Sequence, residues 1–385
     1  MSGERVLVTS AQERFALAAC RSLAAAGFRV SAVADVTPAA THWSRCCDRR
    51  FVLVDPKRDA DGFVDGLVEI VSSEPHAVLL PATDAALLAI SARRERLESL
   101  VRLGLPPHEA VAASTDKVRL ADAARQAGLD APETVVCETH ADGERAAERI
   151  GFPLLIKPRR TAFEAEGGVR QRGSALVASR AALDGRLDEF GTPYLIQRAQ
   201  PGEVWSAAGV RTGDGIVAFV VARYLRTFPP EAGNVAFAET VVPPDGLRDR
   251  VDALMGELGW EGIFELELVR GDDGRFHAID VNPRLYGSLA LATRAGAPLA
   301  VILCDWILGR PTAPVTARAG VRYRWEDADL RHALAQLRQG RVRAAASALA
   351  PRRDVAHAHF RLSDPGPLAA RFVSLGRRAV RRRRG

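Results

Sequence analysis

The chain has 385 residues, 47% apolar and 26% charged, with a formal charge of +6. That balance excludes a disordered chain, and the length exceeds the ~250 residues at which a single core stops growing, so two or three packed domains are expected. No apolar run reaches the roughly 18 residues that span a bilayer, and the start MSGERVLVTS reads as a strand rather than a leader, so a cytoplasmic protein is expected.

Residues 1–112 alternate apolar strand runs (5–9, 29–34, 77–80) with helical patterns (15–26, 63–72). Alternation of this kind predicts a parallel sheet flanked by helices, an α/β domain. Gly27 stands where a helix C-cap is wanted. A dinucleotide fingerprint would place GxGxxG after the first strand, but the turn Ser10-Ala11-Gln12-Glu13-Arg14 has no glycine, although Asp35 ends the second strand where a ribose-binding acid would sit. The stretch Leu80-Pro81-Ala82-Thr83-Asp84 carries polar groups at the carboxyl edge of that sheet, where ligands of open α/β sheets bind.

From residue 113 the plan changes to α+β. A helix over 116–127 ends at Gly128, and a strand over 134–137 and a helix over 142–150 lead to the strand 154–157. Strands over 194–198, 204–210, 215–225, 263–269 and 275–281 follow, mostly antiparallel by their short turns. The expected division is 113–198 and 199–311 as two lobes, then a helical extension over 312–376 with one amphipathic helix near 330–337.

The segment 265–284 is the most informative. Two strands joined by the tight turn 271–274 form a hairpin in which Glu267 and Asp280 lie opposite each other and Asn282 shares the face of Asp280. Three converging oxygen donors suit a hard cation such as Mg²⁺, with Mn²⁺ able to substitute; without one, two facing acids repel. An exposed, merely solvated acidic hairpin is the plain alternative. Arg284, two residues on, adds a guanidinium able to grip a phosphoryl or carboxylate oxygen; by itself it reads equally as a salt-bridge partner of either acid.

The run Ile279-Asp280-Val281-Asn282-Pro283-Arg284, with Glu267 thirteen residues upstream, resembles the metal-binding strands of the ATP-grasp superfamily. The continuation 285–292 looks like its branch of carboxylate-amine ligases and carbamoyl-phosphate-synthase-like enzymes. The resemblance implies an N-terminal parallel-sheet domain followed by two α+β lobes enclosing ATP. It also implies roles for residues that occur in the family's order. Lys117, opening a helix after Ser114-Thr115-Asp116, and Lys157, in Phe152-Pro153-Leu154-Leu155-Ile156-Lys157, resemble the two lysines that contact ATP phosphates. Gly167-Gly168 looks like the mobile loop over the triphosphate. Gln197, Arg198 and Ala199 resemble the linker that lines adenine, and Glu203 the carboxylate on the ribose hydroxyls. Gln197 departs from the commoner Glu, and Asp280 from Glu, each a change of one group in an otherwise intact set.

The function implied is an ADP-forming C–N ligase: Mg²⁺ on Glu267, Asp280 and Asn282, phosphates neutralised by Lys117, Lys157 and Arg284, a substrate carboxylate activated as an acyl phosphate, and an amine that displaces phosphate. Arg223 and Arg226, three apart, are candidates for a carboxylate clamp with the segment 231–239, Arg226 being counted among the catalytic residues. The partners expected are a small-molecule carboxylate and an amine, with a homodimer left open. Two alternatives stay open: bicarbonate as the activated carboxylate, and a regulatory ATP binder without turnover.

The last residues, 377–385, hold six arginines, and removing them leaves the chain close to neutral. They read as a disordered, solubilising tail with no specific nucleic-acid partner. His357 and His359 read as exposed. The five cysteines, odd in number and without CxxC spacing, read as reduced thiols rather than disulfides or a zinc site.

Overall fold

The computed structural model describes residues 3–165, 167–229, 233–350, 352 and 354–384. The first sheet is parallel, in the order Arg49–Val52, Arg29–Ala34, Arg5–Val8, Val78–Leu80, Arg102–Leu103. The strand Arg49–Val52 is absent from the sequence reading because it is an edge strand with mostly exposed side chains, which erases the apolar alternation that marks a strand. Chain order reverses between Arg5–Val8 and Val78–Leu80, so a crevice opens at their carboxyl ends. Residues 10–14 and 81–84 border it, joined by the Ser10 and Thr83 hydroxyls at 3.0 Å.

The second sheet is antiparallel, in the order Ala175–Val177, Leu154–Lys157, Tyr194–Arg198, Thr134–Cys137. The third and largest runs Phe276–Asn282, Gly262–Arg270, Glu203–Thr212, Gly215–Phe228, Asn234–Thr240, Arg322–Arg324, Val355–His357, with Val315–Thr316 beside Gly215–Phe228. Helix Lys117–Gln126, grouped with the first lobe in the sequence reading, packs on this large sheet and on helix Leu247–Glu257. The backbone at Asp130 bonds to Phe276 and Ala278 at 2.9 and 2.8 Å, tying that helix to the edge strand.

Four expectations are corrected. The extension over 312–376 is not only helical, since it adds three short strands to the large sheet, with Tyr323 fully buried. The helix near 330–337 forms as Glu326–Arg338, but Leu330, Leu334 and Leu337 are exposed, and burial falls on Ala328, Asp329 and Ala333 instead. His359 is buried rather than exposed: the rings of His357 and His359 both face the Glu326 carboxylate, and the backbone amides of His359 and Phe360 donate to it. A run of arginines also does not prevent order. Residues 366–384 form one helix, because arginine is a good helix former and cations suit a helix C-terminus.

The glycine segment is a two-stranded hairpin, Ala162–Ala165 with Gly168–Gln171, seated on the N-terminal domain. The amide of Val169 donates to the Pro56 carbonyl at 3.0 Å, and Ala162 and Val169 join the core. A Cβ on Gly168 would stand 2.6 Å from the Lys57 carbonyl oxygen, so close backbone approach requires glycine there. Gly168→Ala is expected to undock the hairpin and accelerate proteolytic cleavage within 159–173; an unchanged cleavage pattern would count against the docking.

Candidate active site

The chemistry gathers on the large sheet's edge hairpin. Glu267 pairs with Asp280, Leu266 with Val281 and Glu265 with Asn282, whereas Leu268 pairs with Ala278, so Ile279 is one residue extra. This β-bulge decides which way the second strand faces. Phe276 and Ala278 lie in the core before it, and Val281 after it. With strict alternation Asp280 would share the core face of Phe276 and Ala278; the extra residue turns it to the side of Glu265, Glu267 and Asn282. The Ile279 carbonyl at the bulge accepts from Lys157 Nζ at 3.2 Å.

Both lysines reach this hairpin. Lys117 begins its helix behind the N-cap Asp116, whose carboxylate accepts from the amides of Val118 and Arg119. Its ammonium donates to Asp280 Oδ1 at 2.5 Å. Lys157 ends the strand Leu154–Lys157 and is buried. The segments bearing the two lysines are tied together, Lys117 N–H to the Arg159 carbonyl at 3.0 Å and Arg159 Nε to Asp116 at 2.8 Å. Burial, and then the neighbouring Lys117, bring the Lys157 ammonium down to about 8. Burial alone would raise Asp280, but the two ammonium groups outweigh it and hold its carboxyl below the ordinary range. Glu267 is pushed up by burial and then by Glu265 and Asp280. Opposed, partly exposed carboxylates beside two ammonium groups are a donor set that a divalent cation carrying phosphate could use.

Arg284 is held from the other side of the cleft. Its guanidinium makes a two-pronged ion pair with Asp84, Nε to Oδ1 at 2.7 Å and Nη2 to Oδ2 at 2.9 Å, and also donates to Asn282 Oδ1 at 2.8 Å. Asn282 Nδ2 in turn donates to Glu265 at 3.2 Å, and the Tyr224 hydroxyl to Glu265 at 3.0 Å. Asp84 comes from the N-terminal sheet edge, in the first turn of helix Asp84–Ala92 behind the Thr83 cap. The network therefore crosses from one domain to the other.

Glu265 was quoted in the sequence segment without a role. Period two on Glu265 and Glu267, read along one strand, is the signal that would have found it. Asn282 lies opposite Glu265 rather than Glu267, and its oxygen is already engaged by Arg284.

The residues expected from the sequence to contact nucleotide lie elsewhere on the chain. Gln197 is buried in the strand Tyr194–Arg198, with Nε2 on Thr134 Oγ1 at 2.9 Å and Oε1 without a partner. An unpaired buried acceptor fits an incoming N–H donor such as an exocyclic amine. The Arg198 side chain pairs with Glu133, and the Ala199 amide points to the Pro153 carbonyl at 3.4 Å. Glu203, half-exposed at the start of Glu203–Thr212, accepts from Trp205 and faces Arg223 at 3.5 Å. Gly167 takes a positive φ of 78° at the hairpin turn, and the hairpin's contacts run to residues 56–58 of the N-terminal domain.

The Arg223–Arg226 clamp is corrected. Arg226 is taken by Asp329 through both carboxylate oxygens at 2.8–3.0 Å, and Arg223 faces Glu203, because the two strand positions sit either side of a register shift. Neither presents a free guanidinium pair. Within the proposed segment 231–239, Glu231 lies outside the described residues, and Asn234 lines the cleft.

That cleft, about 250 Å³, is walled by Glu13, Arg14, Thr83 and Asp84 from the N-terminal domain and by Glu265, Glu267 and Arg284 from the hairpin. Arg14 reaches into it from the first turn, its Nε on the Gly287 carbonyl at 3.1 Å and its plane 3.8 Å over the Trp325 ring. A larger cleft of about 550 Å³ lies behind helix Arg14–Ala25, but its lining has no carboxylate. The smaller one carries the chemistry.

The overall shape matches solved enzymes. N5-carboxyaminoimidazole ribonucleotide synthetase in its ADP complex superposes with a TM-score of 0.65 over 88% of this chain and 85% of that one, at 13% identity. The L-amino acid ligase of Bacillus licheniformis gives 0.62 over 80% and 75%, at 16% identity. The chain has the ATP-grasp fold. The biotin carboxylase domain of the 2-oxoglutarate carboxylase of Hydrogenobacter thermophilus, solved as a dimer with MgADP and bicarbonate, gives 0.63 over 84% and 74%, at 13% identity.

Among curated sequences, the carbamoyl phosphate synthase large chain of Rubrobacter xylanophilus is 26% identical over 335 residues, 79% of this chain and 28% of its own length. That of Neisseria gonorrhoeae is 25% identical over 214 residues, 52% of this chain and 20% of its own length. The chain thus spans between a fifth and little more than a quarter of the length of these relatives. No protein-family model matches it. No helix among the described residues is long and apolar enough to cross a membrane.

Breaking the interdomain pair by Asp84→Ala leaves Arg284 buried without its counter-charge, which costs about 3–5 kcal/mol. A fall of that size in urea-unfolding stability, restored in part by Asp84→Glu, is the expected result.

Proposed function

We propose that this ATP-grasp chain is an ATP-dependent ligase that activates a small-molecule carboxylate as an acyl phosphate and transfers the acyl group to an amine, releasing ADP and phosphate. The observation that carries the reading is the opposed pair Glu267–Asp280 with Lys117 and Lys157 against it and Arg284 at the cleft. Phosphoryl transfer asks a protein for positioning and charge compensation rather than covalent chemistry, and this set supplies both.

In this reading Glu267 and Asp280, with Asn282 beside them, would hold Mg²⁺, which would supply positive charge against the phosphates. Lys117 and Lys157 compensate the phosphates. Gln197 Oε1 accepts from the adenine amino group, the backbone at Arg198 and Ala199 lines the base, and Glu203 takes the ribose hydroxyls. Gly167 covers the triphosphate from the hairpin turn, and Gly168 beside it seats the hairpin on the N-terminal domain. A carboxylate oxygen attacks the γ-phosphorus as the bond to the β-phosphate oxygen breaks. Arg284, fixed by Asp84, steadies charge on that carboxylate. The amine nitrogen then bonds to the acyl carbon, phosphate departs with the C–O electron pair, and the amine loses a proton. A cytoplasmic location, supported by five free thiols, and a homodimer belong to the same reading.

Similarity to carbamoyl phosphate synthase large chains favours a second reading, in which bicarbonate is the carboxylate.

Purified protein incubated with Mg-ATP and pooled carboxylates and amines is expected to release ADP and phosphate in a substrate-stimulated manner, and Glu267→Ala with Asp280→Ala to abolish that release. Stimulation by bicarbonate alone would select the second reading. AMP and pyrophosphate as products would overturn the acyl phosphate. Gln197→Leu is expected to raise the KM for ATP by about ten-fold with little change in kcat, as loss of one buried hydrogen bond predicts.

A further inference from the structure

The C-terminal helix Gly366–Arg384 lies outside the chemistry, and its two sides are unlike. One side is fixed to the protein. A Cβ on Gly366 would meet the Trp43 carbonyl oxygen, Ala370 is buried, Arg371 pairs with Asp327, and Arg377 donates to the Thr37 carbonyl. An adjoining stripe carries Ala369, Phe372, Val373 and Gly376, at i, i+3, i+4 and i+7, all exposed. Phe372 is 61% exposed and Val373 40%; Leu362, just before the helix, is 87% exposed.

An amphipathic helix normally turns such residues inward, and this one turns them to solvent. Its charge is also one-sided, with seven arginines and no acid over 366–384, six of them after residue 376. The rest of the chain is near neutral, so the positive charge is concentrated at this one helix.

We propose that helix Gly366–Arg384 is an interfacial anchor that seats the chain on an anionic phospholipid surface, Phe372 and Val373 entering the headgroup boundary while the net positive charge of the arginine-rich sequence after Gly376 attracts it to anionic lipid. A bilayer surface uses both features at once, apolar insertion and attraction to anionic lipid. A nucleic acid would engage the arginines and leave the apolar side uncovered. A second copy packed isologously would bring two seven-arginine helices together, and their like charges oppose that pairing. The inference rests on the helix alone and is independent of the ligase reading.

The test is co-sedimentation of the full chain with vesicles of phosphatidylcholine alone and of phosphatidylcholine mixed with phosphatidylglycerol. Binding is expected to the mixed vesicles and not to the neutral ones, weakening with salt, and to fall by about ten-fold in Phe372→Ser/Val373→Ser. The variant's circular dichroism and ATP-dependent activity should match the parent, since neither residue touches the cleft. Four outcomes would overturn the anchor: no binding to either vesicle; mixed-vesicle binding unchanged in the double variant, which is adsorption by arginines alone; duplex DNA competing the protein off the vesicles, in parent and variant alike; or a dimer that the double variant dissociates, which assigns the face to a second copy.

Discussion

One extra residue in one strand orders the whole site. The bulge at Ile279 lets the strand Phe276–Asn282 keep Phe276, Ala278 and Val281 in the core while Asp280 and Asn282 face the acids of the neighbouring strand. Burial of the apolar set anchors the strand, so the carboxylates are placed by the same packing that holds the sheet together. The carbonyl at the bulge also gives Lys157 its partner, and Asp280, once turned, gives Lys117 its own. The two ammonium groups and the carboxylates set against them thus depend on a single departure from strand regularity.

The second constraint joins domains. Asp84 and Arg284 are 200 residues apart in sequence and meet in a two-pronged pair. Arg284 is itself buried by its neighbours, which would disfavour its charge, and the Asp84 carboxylate more than offsets this. Because Arg284 also holds Asn282, and Asn282 holds Glu265, the position of the N-terminal sheet edge is communicated to the acids of the hairpin through hydrogen bonds with directional requirements.

Much of this was legible in the sequence. The alternation over the first hundred residues gave the parallel sheet, and the carboxyl-edge position of Thr83-Asp84 marked a site. The pairing of Glu267 with Asp280 followed from hairpin geometry, and the order of Lys117, Lys157 and Glu267 gave the ATP-grasp resemblance. What escaped was whatever depends on contacts between distant segments. The spacing of Arg223 and Arg226 fits a clamp, yet Asp329, a hundred residues on, takes Arg226. His359 and Glu326 find each other in the same way. The leucines over 330–337 keep helical spacing without being buried, since periodicity reports a face and not what covers it.

The tie between the two lysine-bearing segments has a thermodynamic consequence. Lys117 and Lys157 are held on backbones bonded to one another, and their repulsion contributes to the lowered affinity of Lys157 for its proton. An unfolded chain escapes that repulsion by moving the charges apart; the native chain cannot. A polyanion that settles between them removes a cost borne only by the folded state, and its binding energy is added directly to the stability of the fold. If the proposed nucleotide is that polyanion, the resistance of this protein to heat becomes a function of how much nucleotide surrounds it.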